Sequence, residues 1–146
     1  MTTQNPDRPL EILVIDDEPA LRELLSECIG GYGAKPTQAS DGQEGIEKYF
    51  AMALAGTPYD AIFTDLMMPR KSGVDVVREI KKLSPLTPVY VITGKEANRE
   101  YESLAEQLGQ LKPDGVIQKP YNLTKIMDIL DSVNMKRNKD TKPSQS

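Results

Sequence analysis

The sequence has no histidine and no tryptophan, and Cys28 is its single cysteine. The lack of histidine excludes histidine general bases, zinc sites that use histidine, and the common Ser-His and Cys-His nucleophile pairs. One cysteine cannot form an internal disulfide, and Cys28 falls on the apolar side of a predicted helix, so we interpret it as a small buried hydrophobic residue. Any chemistry in this chain must therefore use carboxylates, hydroxyls and lysines.

Long apolar runs and a basic surface are missing as well. No apolar run approaches the roughly 20 residues that cross a bilayer, and the first nine residues lack the apolar core of a secretory signal. The formal net charge is −4 and the pI is near 4.9, whereas nucleic acids and anionic membranes attract basic surfaces. We therefore predict a cytoplasmic protein that binds neither nucleic acid nor a membrane.

The length of 146 residues fits one domain. Residues 1–9 are polar and contain two prolines, which predicts a flexible N-terminal arm. Residues 135–146 are almost entirely polar, which predicts a disordered C-terminal tail. We therefore place a single folded domain at residues 10–134.

Within that domain, short apolar runs alternate with patterns of helical period. The predicted strands are Ile12–Ile15, Ala34–Ala39, Ala61–Phe63, Val89–Ile92 and Gly115–Ile117. The first of the five predicted helices has an apolar stripe at i, i+3, i+4, i+7 and i+8, formed by Leu21, Leu24, Leu25, Cys28 and Ile29. This alternation predicts a parallel sheet covered on both faces by right-handed crossovers, and Pro36 confines the second strand to an edge. The predicted fold is a doubly wound, flavodoxin-like α/β domain with strand order 2-1-3-4-5.

Polar side chains follow four of these strands. Asp16 and Asp17 follow the first, Asp65 the third, Thr93 the fourth and Lys119 the fifth. The carboxyl ends of parallel strands meet at one edge of the sheet, where ligands bind in such folds. Each residue has a commoner role when taken alone, because Asp and Thr often cap helices and Lys is usually solvated. Their shared position is what indicates a functional site.

Three carboxylates at one edge require a counter-charge. Two unit charges 4 Å apart repel by about 4 kcal/mol at an effective dielectric constant near 20, so protons or a cation must intervene. Oxygen ligands without histidine or cysteine select Mg²⁺, Ca²⁺ or Mn²⁺, and the small number of carboxylates favours Mg²⁺. Lys119 and Thr93 add a second cation and a neutral donor, which a phosphoryl group requires. We predict transfer of a phosphoryl group to Asp65, followed by its hydrolysis.

Four motifs carry a resemblance to a known family, and the resemblance covers about Leu10 to Val133. The motifs are Val14-Ile15-Asp16-Asp17-Glu18, Asp65-Leu66-Met67-Met68-Pro69 with Gly73 eight positions after the acid, Val91-Ile92-Thr93-Gly94, and Lys119-Pro120-Tyr121. As a set they resemble the receiver domain of two-component response regulators.

The resemblance implies a role for each residue of the site. Asp65 would be the phosphoacceptor, Asp17, Asp65 and the Met67 carbonyl would bind Mg²⁺ directly, and Asp16 would act through water. Thr93 would follow the phosphoryl oxygens, and Lys119 would pair with the phosphate next to a cis Lys119-Pro120 bond.

The resemblance also implies partners. The phosphoryl group would come from a phosphohistidine on a sensor histidine kinase or a histidine phosphotransfer protein. With no output domain expected, the signal would pass through altered binding of a downstream protein, and the chain would not be an enzyme beyond its own phosphorylation and dephosphorylation. One departure stands out, because Val116 occupies the position, three before Lys119, where the family usually has Tyr or Phe. A β-branched side chain cannot give the same rotamer change, so we expect a different readout.

Three alternatives are less favoured. A signalling module that binds partners independently of phosphate is motivated by Val116. A phosphohydrolase with an aspartyl phosphate would need a second acid two residues after Asp65, and that residue is Met67. A flavodoxin-like electron carrier would need amide donors or hydroxyls in the first loop, which is acidic instead.

Overall fold

The computed structural model describes residues 8–94 and 96–141. Within this range the chain forms five strands and five helices in strict alternation. Their bounds are β1 Glu11–Ile15, α1 Pro19–Tyr32, β2 Lys35–Ala39, α2 Gly42–Leu54, β3 Ala61–Asp65, α3 Gly73–Leu83, β4 Val89–Thr93, α4 Arg99–Leu111, β5 Gly115–Gln118 and α5 Leu123–Thr141. All the strands are parallel, in the order β2-β1-β3-β4-β5, so the predicted doubly wound, flavodoxin-like fold is confirmed. No helix among these residues is both long and apolar enough to span a bilayer.

Two apolar layers hold the helices on the sheet. Successive side chains of a strand point to opposite faces, so β1 contributes Leu13 and Ile15 to one layer and Ile12 and Val14 to the other. The first layer packs against α2, α3 and α4, and the second against α1 and α5. Because the central strands are buried on both faces, their sequences read as continuous apolar runs.

The ends of the helices follow local sequence signals. Pro19 is the first residue of α1, and Gly33, with φ of +103°, ends that helix in the left-handed conformation that glycine adopts most readily. Asp41 caps α2 by accepting a hydrogen bond from the Glu44 amide, and Ser72 begins α3 with a capping box. These caps fix where each helix starts relative to the loop before it.

The predicted orientation of α1 is only partly correct. Leu25 and Ile29 are buried, but Leu24 is 47% exposed and Cys28 is half-buried against the layer that faces α1 and α5. Neighbouring helical residues are 100° apart, so the rotation that points Leu25 at the sheet turns Leu24 toward solvent.

The predicted disordered tail is wrong for residues 135–141, which continue α5. Tertiary contacts explain the extra turns. The Arg137 guanidinium is buried and donates to the Arg8 carbonyl at 2.8 Å and to the Asn134 side chain at 2.9 Å. Residues 142–146 lie outside the described range.

The predicted N-terminal arm also overlaps folded structure at its last two residues. The guanidinium of Arg8 makes two hydrogen bonds with the Asp60 carboxylate, at 2.9 and 3.0 Å. The same carboxylate accepts the Glu11 amide at 2.7 Å, so Arg8 is attached where β1 begins. Residues 1–7 lie outside the described range.

Candidate functional site

The loop after β1 and the end of β3 bring three carboxylates together. Asp16 directly follows β1, and Asp65 is the last residue of β3. One carboxylate oxygen from each of Asp16, Asp17 and Asp65 lies within 4.8 Å of the others. Asp16 and Asp65 are buried, whereas Asp17 is exposed, so the cluster opens to solvent on the side of Asp17.

The loop between β3 and α3 folds back onto Asp65. The amide of Leu66 donates to the Ile92 carbonyl at 3.1 Å, and the amide of Gly73 donates to the Leu66 carbonyl at 2.8 Å. A Cβ atom at residue 73 would lie 2.5 Å from the Asp65 carbonyl oxygen, so only glycine allows this approach. Met67 lies in this loop, half-buried and packed against the first layer of the core.

Lys119 reaches the same place from the end of β5. Its ammonium nitrogen lies 3.1 Å from Oδ1 of Asp65, and its amide donates to the Thr93 carbonyl at 2.8 Å. The Lys119-Pro120 peptide bond is cis. Thr93 is buried at the end of β4, and its hydroxyl donates to the neighbouring Gly94 carbonyl at 3.3 Å. The structure thus pairs Lys119 with Asp65 and places Thr93 at the next strand end.

Burial disfavours the ionised forms of two carboxylates in the cluster, those of Asp16 and Asp65. Burial raises the pKa of Asp65 to about 6, and Asp16 adds to this effect while Lys119 opposes it. Burial also raises the pKa of Asp16, against the hydrogen bond from the Glu18 amide. Burial alone would lower the pKa of Lys119, but the Asp65 and Asp16 carboxylates outweigh it and raise that pKa.

The donor set fits a hard divalent cation. Three ionised carboxylates and one ammonium group leave a formal charge of −2 at the cluster, which a divalent ion would neutralise. The ligand atoms on offer are oxygens, the kind that Mg²⁺ prefers. The raised pKa of Asp65 is compatible with this fit. Burial and Asp16 disfavour the ionised carboxylate, and a bound divalent cation would stabilise that ionised form.

Sequence reasoning assigned no role to two residues beside the cluster. Arg22 donates to the Asp16 carbonyl, and Tyr121 lies close enough to Asp16 for that carboxylate to help burial raise the tyrosine pKa. A cation in the first turns of α1 was an available signal for Arg22.

Comparison with known proteins agrees with this geometry. Residues 12–131 match the response regulator receiver domain family. The autoinducer 1 sensor kinase/phosphatase LuxN of Vibrio campbellii is 29% identical over 119 residues, which cover 82% of this chain and 13% of LuxN. The response regulator MprA of Mycolicibacterium vanbaalenii is 30% identical over 121 residues, which cover 82% of this chain and 48% of MprA. The chain therefore spans less than half the length of these relatives.

A solved structure agrees as well. The response regulator TrrA of Thermotoga maritima, in complex with Mg²⁺ and BeF, has a TM-score of 0.67 and 28% identity, over 85% of this chain and 98% of that one. Because the family match covers most of the chain and the acidic cluster lies at the expected sheet edge, the chain belongs to the response regulator receiver domain family.

Proposed function

We propose that this chain is a phosphoacceptor that takes a phosphoryl group from a phosphohistidine onto Asp65 in the presence of Mg²⁺. The observation that carries the proposal is the cluster of Asp16, Asp17 and Asp65, with the Lys119 ammonium 3.1 Å from Asp65. Carboxylates, a lysine and a neutral hydroxyl at one solvent-open edge are the groups that phosphoryl transfer requires.

In the proposed reaction, an Asp65 carboxylate oxygen attacks phosphorus. The P–N bond of the phosphohistidine breaks, the imidazole nitrogen keeps the electron pair, and an acyl phosphate forms. Lys119 pairs with the incoming anion, and the Thr93 hydroxyl turns from the Gly94 carbonyl toward it. Bound through Asp17, Asp65 and the Met67 carbonyl, with Asp16 acting through water, Mg²⁺ would supply charge neutralisation. Water later cleaves the acyl phosphate to phosphate and carboxylate.

The proposed donor is a sensor histidine kinase or a histidine phosphotransfer protein. None of the 146 residues is a histidine, so the phosphohistidine must lie outside this receiver domain. The similarity to part of LuxN, a sensor kinase/phosphatase, supports a kinase partner, and the complex of TrrA with Mg²⁺ and BeF supports the metal. We further propose a cytoplasmic location and no enzymatic activity beyond the chain's own phosphorylation and dephosphorylation.

The proposed output is a change in affinity for a protein target. Phosphorylation replaces the single negative charge of the Asp65 carboxylate with the roughly two negative charges of a phosphoryl group, and it adds three acceptor oxygens, which is enough to reorganise neighbouring loops. Val116 is 46% exposed on β5, so this position presents a small aliphatic side chain to a partner. The alternative of a phosphate-independent binding module rests on the same residue. It predicts equal partner affinity with and without beryllofluoride.

Incubation with acetyl phosphate and Mg²⁺ tests the proposal. The wild-type chain should gain one alkali-labile phosphate, seen as about 80 Da by mass spectrometry. It should gain none when EDTA is added before the donor. Asp65→Asn should gain none, and Asp128→Asn, which removes an exposed acid of α5, should match wild type. An unmodified wild-type chain, or equal labelling of Asp65→Asn, would disprove the proposal.

A further inference from the structure

Arg22 lies near the start of α1 and connects three elements. Its Nη1 donates to the main-chain carbonyl oxygen of Asp16 at 2.8 Å, and its Nε donates to the side-chain oxygen of Gln38 on β2 at 2.9 Å. The side-chain amide of Gln38 in turn donates to Glu23 at 3.1 Å. Gln38 of the edge strand β2 therefore orients the Arg22 guanidinium, and the guanidinium in turn binds the Asp16 carbonyl.

That carbonyl belongs to the peptide group between Asp16 and Asp17. The peptide group is planar, so a bond to its oxygen restricts the direction in which the backbone of Asp17 continues. Asp16 is also fixed by its amide, which donates to the Ala39 carbonyl at 3.1 Å, and by its carboxylate, which accepts the Glu18 amide at 2.9 Å. Asp17 is exposed, so packing in the core does not orient its side chain.

We infer that Arg22 is a positioning residue for the divalent cation site, which it serves by fixing the Asp16-Asp17 peptide so that the Asp17 carboxylate stays beside that of Asp65. The inference rests on the proposed function, because the site it supports is the proposed Mg²⁺ site. Residues that orient metal ligands change metal affinity by about 10- to 100-fold when they are removed. We therefore expect Arg22→Ala to weaken Mg²⁺ binding about tenfold.

The first experiment is calorimetric titration of Mg²⁺ into wild type, Arg22→Ala and Arg78→Ala. Arg78 is an exposed arginine of α3 that bonds Asp75 and Gln107, so its removal controls for the loss of one cation. The expected result is a Kd about tenfold higher for Arg22→Ala and within twofold of wild type for Arg78→Ala. An Arg22→Ala Kd within twofold of wild type, or an equal loss in both variants, overturns the inference.

A second readout separates positioning from general loss of stability. In EDTA, amide hydrogen exchange should become faster at residues 16–18 of Arg22→Ala and stay unchanged in β3. Equal acceleration in both segments overturns the inference. Arg22→Lys keeps one donor for the Asp16 carbonyl but cannot serve Gln38 with the same geometry, so it should recover at least half of the lost binding free energy. No recovery counts against the inference.

Phosphorylation kinetics distinguish this inference from the proposed function. With acetyl phosphate, Arg22→Ala should need about tenfold more Mg²⁺ for half-maximal rate and reach a maximal rate near that of wild type at saturating Mg²⁺. A wild-type chain that binds no Mg²⁺ overturns both ideas. A wild-type chain that binds Mg²⁺ and is phosphorylated, beside an Arg22→Ala variant with the same Mg²⁺ dependence, overturns only the role of Arg22.

Discussion

Replacement of Asp65 by asparagine should stabilise the metal-free protein. The pKa of Asp65 is raised from 3.8 to about 6 in the folded state, so ionised Asp65 costs folding free energy at neutral pH. Two pKa units correspond to about 3 kcal/mol, and Asp65 is 8% exposed, so solvent screens little of this cost. Because asparagine removes the charge and keeps the shape, we expect Asp65→Asn to raise the free energy of unfolding by about 2–3 kcal/mol at pH 7.5.

The pH dependence gives this prediction a sign. A raised carboxyl pKa means that the folded state binds the proton more tightly than the unfolded state, so wild type loses stability as the pH rises from 3.8 to about 6. The gain in unfolding free energy from Asp65→Asn should therefore be small at pH 4. It should grow as the pH rises to about 6 and stay constant above pH 7.

Urea unfolding in EDTA, followed by circular dichroism, measures the effect. Asp128→Asn is the control, because it also removes one negative charge but from an exposed position on α5, and its stability should match wild type within about 0.5 kcal/mol. Addition of Mg²⁺ should stabilise wild type through selective binding to the folded state and leave Asp65→Asn nearly unchanged. An Asp65→Asn variant no more stable than wild type in EDTA would refute the electrostatic reasoning.

Three further predictions concern the same framework. Gly73→Ala should lower stability in urea unfolding by about 1–3 kcal/mol, because the new Cβ would lie 2.5 Å from the Asp65 carbonyl oxygen; an unchanged midpoint would contradict this. Lys81→Met should lower the free energy of unfolding by about 1–3 kcal/mol, because the Lys81 ammonium donates to the Thr87 carbonyl at 2.7 Å and to the Asp114 carboxylate at 2.6 Å. Lys82 is exposed, so Lys82→Met is the control and should leave that free energy unchanged. Calorimetry should find Mg²⁺ affinity falling as the pH drops below about 6, because Asp65 must be ionised to bind the ion, and a constant affinity from pH 5 to 7.5 would argue against Asp65 as a ligand.

The central strands were predictable because burial on both faces leaves one signal. β1 and β3 each need side chains that pack on two helical layers, so their sequences are continuous apolar runs that few other structures explain. The strand order followed from the strand–helix alternation together with Pro36, because a doubly wound sheet with its second strand at an edge favours the order 2-1-3-4-5. The carboxylate cluster followed in turn, because a parallel sheet places Asp16 and Asp65 at one edge.

The end of α5 was not predictable because its cause is tertiary. Residues 135–141 carry little apolar surface, and a polar helix end normally frays. The buried Arg137 guanidinium reverses that expectation by bonding the Arg8 carbonyl, which belongs to the other end of the chain. Every residue has a main-chain carbonyl, so the type of residue at position 8 gives no indication that its carbonyl accepts this hydrogen bond.

Main-chain contacts that the sequence does not reveal also support the proposed metal site. Carboxylates within 4.8 Å of one another repel, so without a cation the loops that bear them tend to separate. The contacts that resist this separation come from residues outside the cluster. Gly73 lets the loop after β3 pack closely against the Asp65 carbonyl, and Arg22 donates a hydrogen bond to the carbonyl of the Asp16-Asp17 peptide. Metal affinity should therefore depend on residues that do not contact the metal, because their contacts offset the repulsion between the carboxylates in the metal-free state.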